Sequence, residues 1–269
     1  MQNEQRSLAT PNLKIPTNFQ SITHLHEVLL SEIYCTFDGL NPKIRWNTDQ
    51  IKVALFLRIL SGGDSIVALV SNRLFTYIPM ILRSMLEARV DLINLIDNHD
   101  YIRIMTFCFA EQESKFLSEC INDTELAKYF ENGEVGLLRY NNANKYKSNN
   151  ADIKKCQSHR ISNRFVRAGV GSDYCTTYNE LCRATHNNID KLMSDHFDAT
   201  GTKYYAHTVP DLNTYRSHIF VSSNILIHSS ILVSPLFGLE EATLDKAINM
   251  YTNLQDTISS DALLQPDSP

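Results

Sequence analysis

The sequence predicts an all-α protein: a single, bundle-like domain of about eight helices with flexible ends. Three observations predict this. Apolar residues recur at three and four positions almost throughout, with no sustained strand-like alternation. Gly and Pro punctuate the chain at helix-length intervals. Hydrophobic residues make up 43% of the 269, enough to bury a core and to exclude a disordered chain.

The elements follow in order. Residues 1–17 are polar, contain Pro11 and Pro16, and read as a flexible arm; the helical domain spans 18–260. The first helix runs from about Ser21 to Phe37, with Ile22, Leu25, Val28, Leu29 and Ile33 on one face, and Gly39 and Pro42 end it. The second starts near Thr48. Its pattern is interrupted at Gly62-Gly63, a kink or a short break, since each glycine weakens a helix by about 1 kcal/mol. Pro79 suits the first turn of the third, which reaches about Asp97. Helices over Tyr101–Glu119 and Asp123–Glu131 come next. The Asn-rich, weakly periodic stretch at 132–150 reads as a polar loop. A basic helix over Ala151–Ala168 stops at Gly169. Ser172 or Asp173 caps one that runs to about Phe197. Pro210-Asp211 starts the penultimate helix, which Pro235 and Gly238 break; the last spans Glu240–Ile258, and 261–269 form a flexible tail.

Composition bounds the function. A net charge of −5 argues against nucleic-acid binding by the whole surface, though not by a local basic site. No apolar segment of a secretory signal is visible near the N-terminus, and the six cysteines include no C-x-x-C pair, so free thiols and a cytoplasmic location are expected. The apolar stretch at 219–239 carries Asn224, His228, five serines and Pro235. It is expected to be a buried core helix, with no membrane partner.

Two helices carry polar residues where the pattern expects core. Arg83, Glu87, Val90 and Asn94 form one strip, flanked by Leu82, Leu86 and Ile93. Arg preceding Glu by four is the weaker order for helix support, so local stabilisation is a poor sole reason for the pair. If the strip turns inward, Glu87→Ala is expected to cost about 3–5 kcal/mol by stranding a guanidinium. Further on, Tyr178, Leu181, Cys182, Thr185, Ile189 and Leu192 share a face, with His186 at its edge. A buried, oriented His is usable as an acid or base; the plainer reading is a hydrogen-bonded core pair.

These two segments resemble an uncharacterised, mainly bacterial family, the domain of unknown function numbered 5677. Its features are an R-S-x-x-E helix, here Arg83-Ser84-Met85-Leu86-Glu87, and a later Y-x-x-x-S-x-x-x-H helix, here running from Tyr178 through Cys182 to His186. The similarity covers about residues 50–200. Cys182 stands where a small hydroxyl is usual, so no hydroxyl-dependent role carries over to it. The resemblance implies an all-helical fold and no settled activity. More distantly, the chain resembles the HEPN ribonucleases of bacterial defence and toxin systems. Their motif sets an Arg somewhat more than one helical turn before a His. No Arg here has that spacing; Arg183 precedes His186 by only three residues.

A third feature is charge. Arg139, Lys145, Lys147, Lys154, Lys155, Arg160, Arg164 and Arg167 face one acid, Asp152, with Tyr140, Tyr146 and Phe165 interleaved. Such a stretch can grip phosphates and stack bases, or it can dock on the acidic residues at 111–134. His24-x-His26 diverges on a helix and is a poor metal clip, so neither metal nor cofactor is expected.

Two readings stay open. One is a metal-independent RNA-binding or RNA-cleaving component of a bacterial defence or toxin system. In it His186 acts as acid or base, Arg83 or Arg183 stabilises charge, Glu87 holds the Arg, Tyr178 lies opposite in the same pocket, and Lys145, Lys147, Lys154, Lys155, Arg160, Arg164 and Arg167 hold the backbone. The other is a non-catalytic helical module for a protein partner or homodimer, in which the Arg–Glu and Tyr–His residues form a buried structural network.

Overall fold

The structure is a computed structural model. It describes residues 17–123, 133–185, 188–197 and 209–260. His186, most of the helix expected at 123–131, and the terminal arm and tail lie outside these residues. The described residues are predominantly helical, with no strand. The chain divides into two compact units: Met1–Leu92 with Cys175–Pro269, and Ile93–Tyr174.

The first unit is built on α1 (Thr17–Phe37), α2 (Asn47–Ser71), α11 (Leu212–Phe237) and α12 (Asp245–Ser259). α11 packs against the other three. It can do so because it is apolar almost all round, burying Ile219, Ile225, Leu226 and Val233 together with five serines. Two of the serines satisfy themselves on their own helix: Ser230 Oγ donates to Leu226 O at 2.8 Å and Ser234 Oγ to Ile231 O at 2.9 Å. Asp211 caps its N-terminus, accepting from Thr214 N at 3.0 Å. Pro235 sits inside the last turn rather than breaking the helix, and Gly238, at φ 72°, ends it. Both α2 and α11 are long and apolar enough to cross a membrane by length and composition.

α2 is unbroken through Gly62-Gly63, against the expected interruption. The glycines are there for close approach. A Cβ on Gly63 would lie 3.2 Å from Leu30 of α1 and 3.3 Å from Leu226 of α11, and one on Gly62 would lie 2.4 Å from the Met85 side chain. Phe19 stacks on Tyr215 at 4.1 Å, with Phe75 edge-on, and the Thr23 hydroxyl bonds the Tyr215 phenol. His26 is fully buried between two serines of α11: Nδ1 is 2.9 Å from Ser223 Oγ and Nε2 is 3.3 Å from Ser222 Oγ. Burial holds it down to about 4, so it is neutral.

Between these helices the chain forms a short 3-10 turn, Phe75–Tyr77, and α3 (Ile78–Asp97), with Pro79 in the first turn as expected. The unit boundary falls within α3, after Leu92. The segment entering the first unit again is α8 (Gly171–Asp173), a π-helical stretch Tyr174–Tyr178, and α9 (Asn179–Thr185); α10 (Ile189–His196) follows. One long helix was expected here.

The second unit pairs α4 (Ile102–Asn122) with α5 (Gly133–Asn149). α5 is the segment expected to be a loop. Its own amphipathicity is too weak to announce a helix; its pairing with α4 explains it. Ala143 is buried, Arg139 Nε donates to Glu113 Oε1 at 2.7 Å, and Lys147 Nζ donates to Ser114 Oγ at 2.7 Å. The expected basic helix is split into α6 (Ala151–Lys155) and α7 (Ile161–Arg167). The split falls at Gln157, which takes the left-handed conformation at φ 56°. Phe107, Leu117, Ile153 and Phe165 fill this unit's core.

Candidate functional site

α3 and the π-helical turn meet inside the first unit, and there the sequence-predicted strip finds its partner. Tyr178, the last residue of the π stretch, is 4% exposed. A π turn adds a residue to the helical repeat and re-aims the side chains around it. The Tyr178 hydroxyl donates to Glu87 Oε1 at 2.8 Å and accepts from Arg83 Nε at 3.3 Å and Nη2 at 3.2 Å. Arg83 Nε also lies 3.2 Å from Glu87 Oε1, and its guanidinium carbon is 5.5 Å from the Tyr178 ring centroid. Three of the proposed site residues therefore form one closed network.

The network is not sealed. The Arg83 and Glu87 side chains are 32% and 34% exposed. The bond that Arg83 donates to Tyr178, with the Glu87 charge adding to it, holds the guanidinium above its usual range. Burial pushes the Tyr178 phenol up, and the Glu87 carboxylate adds to that against the opposing hydrogen bond from Arg83. Both groups therefore keep their ordinary protonation, a cationic Arg and a neutral phenol. Cys182, one turn past Tyr178, is close enough to Arg83 to interact with it electrostatically. All six cysteines are free.

The other expected residues part company. Arg183 is exposed and pairs with Glu180 at 3.7 Å. In the second unit, two of the seven expected backbone-holding residues are already occupied. Lys147 bonds Ser114, and Arg164 Nε donates to the Tyr101 hydroxyl at 3.0 Å. Lys145, Lys154, Lys155, Arg160 and Arg167 are exposed and meet no carboxylate among the described residues. Phe165 is fully buried and cannot stack a base; Tyr140 and Tyr146 are half-buried. The docking alternative holds for Arg139, through Glu113.

Sequence reasoning missed Arg58. It extends from α2 and donates Nε and Nη2 to Ser84 Oγ at 3.2 and 2.9 Å. The contact spans 26 positions, so no local pattern announces it. It also missed a cavity of about 660 Å³ in the first unit, lined by Phe75, Leu82, Glu180, Leu181, Asp211 and His218 among others.

One family model matches, over residues 49–204, and it is described as a family of unknown function, DUF5677. Neither a curated protein nor a solved structure matches the chain.

Proposed function

The chain belongs to DUF5677, whose function is unknown; its activity has to be read from its own side chains, and we propose that it binds the backbone of RNA through its second unit. One observation carries this. Five cations within a short stretch, Lys145, Lys154, Lys155, Arg160 and Arg167, stand exposed and meet no carboxylate among the described residues, on a chain whose net charge is −5. A solvated flank that merely balances its own acids would pair them, as Arg139 and Glu113 do. RNA is the polyanion to which the HEPN resemblance points, and with it a place in bacterial defence or toxin systems.

The test is fluorescence anisotropy with a labelled single-stranded RNA, and a matched DNA, at low salt. Lys154→Glu, Lys155→Glu, Arg160→Glu and Arg167→Glu combined should abolish binding. Absence of binding by the unaltered protein would end the proposal.

Cleavage is a second reading. It is favoured by Arg83, which is held by Glu87 and Tyr178 through its Nε and Nη2, so that among the described residues its Nη1 is left for a phosphate. His186 would move the proton. RNA cut in the presence of a chelator by the unaltered protein, and left intact by His186→Ala, supports it. Intact RNA in both leaves Arg83, Glu87 and Tyr178 as a structural tie of a non-catalytic module.

A further inference from the structure

We propose that the cavity of the first unit is a binding site for a small organic cation, a molecule that carries a protonated amine on an apolar body. The site does not depend on RNA binding by the second unit.

Three stretches far apart in the sequence build the cavity: the 3-10 turn with the start of α3, the π stretch with α9, and the start of α11. Its volume of about 660 Å³ lies within the roughly 300–1,000 Å³ that small-molecule sites occupy. The wall is divided. Phe75, Leu82 and Leu181 line it and are buried, so its inner part is apolar. Glu180, Asp211 and Ser217 line it and are exposed, so the polar groups stand at the mouth. A ligand that matches this division has an apolar body and a polar end.

Charge decides the sign of that end. Glu180 and Asp211 are acids, and no Lys or Arg lines the cavity among the described residues. His218, the other titratable side chain on the wall, is half-buried. Asp211 caps α11: Oδ1 accepts from Thr214 N at 3.0 Å and Oδ2 from the Thr214 hydroxyl at 2.6 Å. These bonds hold its carboxyl below the usual range and fix its direction. Each oxygen keeps a second lone pair for a ligand. The positive end of the α11 dipole amounts to about half a charge, so the capping carboxylate outweighs it. Glu180 pairs with Arg183 at 3.7 Å. An exposed pair of that kind contributes little, so an ammonium group can take the place of Arg183. The mouth therefore repels an anion and offers charged acceptors to an amine.

The experiment uses the full chain and three probes that share a dansyl body and a pentyl arm. One ends in an amine (dansylcadaverine), one in a hydroxyl and one in a carboxylate. Dansyl emission brightens and shifts to the blue when the ring leaves water. Saturable binding of the amine is expected, about fivefold tighter than the alcohol, with the carboxylate weakest. Glu180→Gln and Asp211→Asn should each weaken the amine about fivefold and leave the alcohol unchanged; Asn keeps the helix cap. Glu240→Gln, at an exposed acid that does not line the cavity, should change nothing. Ala184→Trp places a large ring on the wall and should exclude the amine and the alcohol alike. The two charge variants, at exposed positions, carry the test whether or not Ala184→Trp folds. The variant with four charge reversals in the second unit should bind the amine as before, so failure of the RNA proposal and failure of this one are told apart. No saturable binding of the amine at millimolar protein and probe would overturn the proposal. So would an alcohol or carboxylate that binds as tightly, or amine binding that Glu180→Gln and Asp211→Asn leave unchanged.

Discussion

Replacing Tyr178 by Phe removes one oxygen and keeps the ring, which isolates the bonds that tie α3 to the π turn. The lost hydroxyl donates to Glu87 at 2.8 Å and accepts two longer bonds from Arg83, at 3.2 and 3.3 Å. Hydrogen bonds to charged groups contribute roughly 1.5–3 kcal/mol each when both partners are withdrawn from water. Here the Arg83 and Glu87 side chains are 32% and 34% exposed, so water replaces part of what is lost. Tyr178→Phe should therefore cost about 1.5 kcal/mol. Glu87→Ala leaves the buried phenol without its acceptor and should cost about 2 kcal/mol. That is less than the 3–5 kcal/mol expected from the sequence for a sealed pair, because the strip lies at the shoulder of the core and not inside it. The two changes share one bond, so the double variant should cost about 1 kcal/mol less than the sum. Urea unfolding followed by Trp46 fluorescence, which reports on the same unit, and by circular dichroism measures all three. Single costs under about 0.5 kcal/mol, or strict additivity, would show that the network does not hold α3 to the π turn.

Two further outcomes follow from buried polar groups. His26 is held neutral at about 4 against an ordinary 6.5, so the unfolded chain binds the extra proton between those values. Stability is therefore full above pH 6.5 and falls as pH drops toward 4, by up to about 3 kcal/mol; the fall should be absent in His26→Gln, as measured by urea midpoints across that range. Asp49, buried at the head of α2, accepts from Arg45 N and Trp46 N at 3.0 Å and from Lys52 Nζ at 3.1 Å. Burial raises its carboxyl, but these bonds outweigh burial and hold it below the usual range. Asp49→Ala leaves the buried Lys52 without its partner and should cost about 3 kcal/mol in thermal or urea unfolding.

The fold class and the Arg83–Glu87–Tyr178 network were legible in the sequence for the same reason. Both rest on helical periodicity, which places residues on faces before any contact is known. The parts that were not legible rest on partners far along the chain. α5 has an Asn-rich, weakly amphipathic sequence and owes its form to α4, through Ala143, Arg139 and Lys147. Gly62 and Gly63 read as helix breakers by propensity, yet Met85, Leu30 and Leu226 need the space they leave. His24-x-His26 diverges as expected for a helix, but His26 alone is fully buried, against serines almost 200 positions away. Lys147 and Arg164 look like their exposed neighbours until Ser114 and Tyr101 are seen to hold them.

The most direct measurement of the central claim is the salt dependence of RNA binding. Single-stranded nucleic acid loses about 0.7 in log–log slope per phosphate contact. With Lys145, Lys154, Lys155, Arg160 and Arg167 free to make contacts, a slope of about −2 to −3.5 is predicted for the unaltered protein. The four reversals at Lys154, Lys155, Arg160 and Arg167 should leave no measurable binding. A slope near zero, or binding that survives the reversals, would contradict the claim that this stretch holds the RNA backbone.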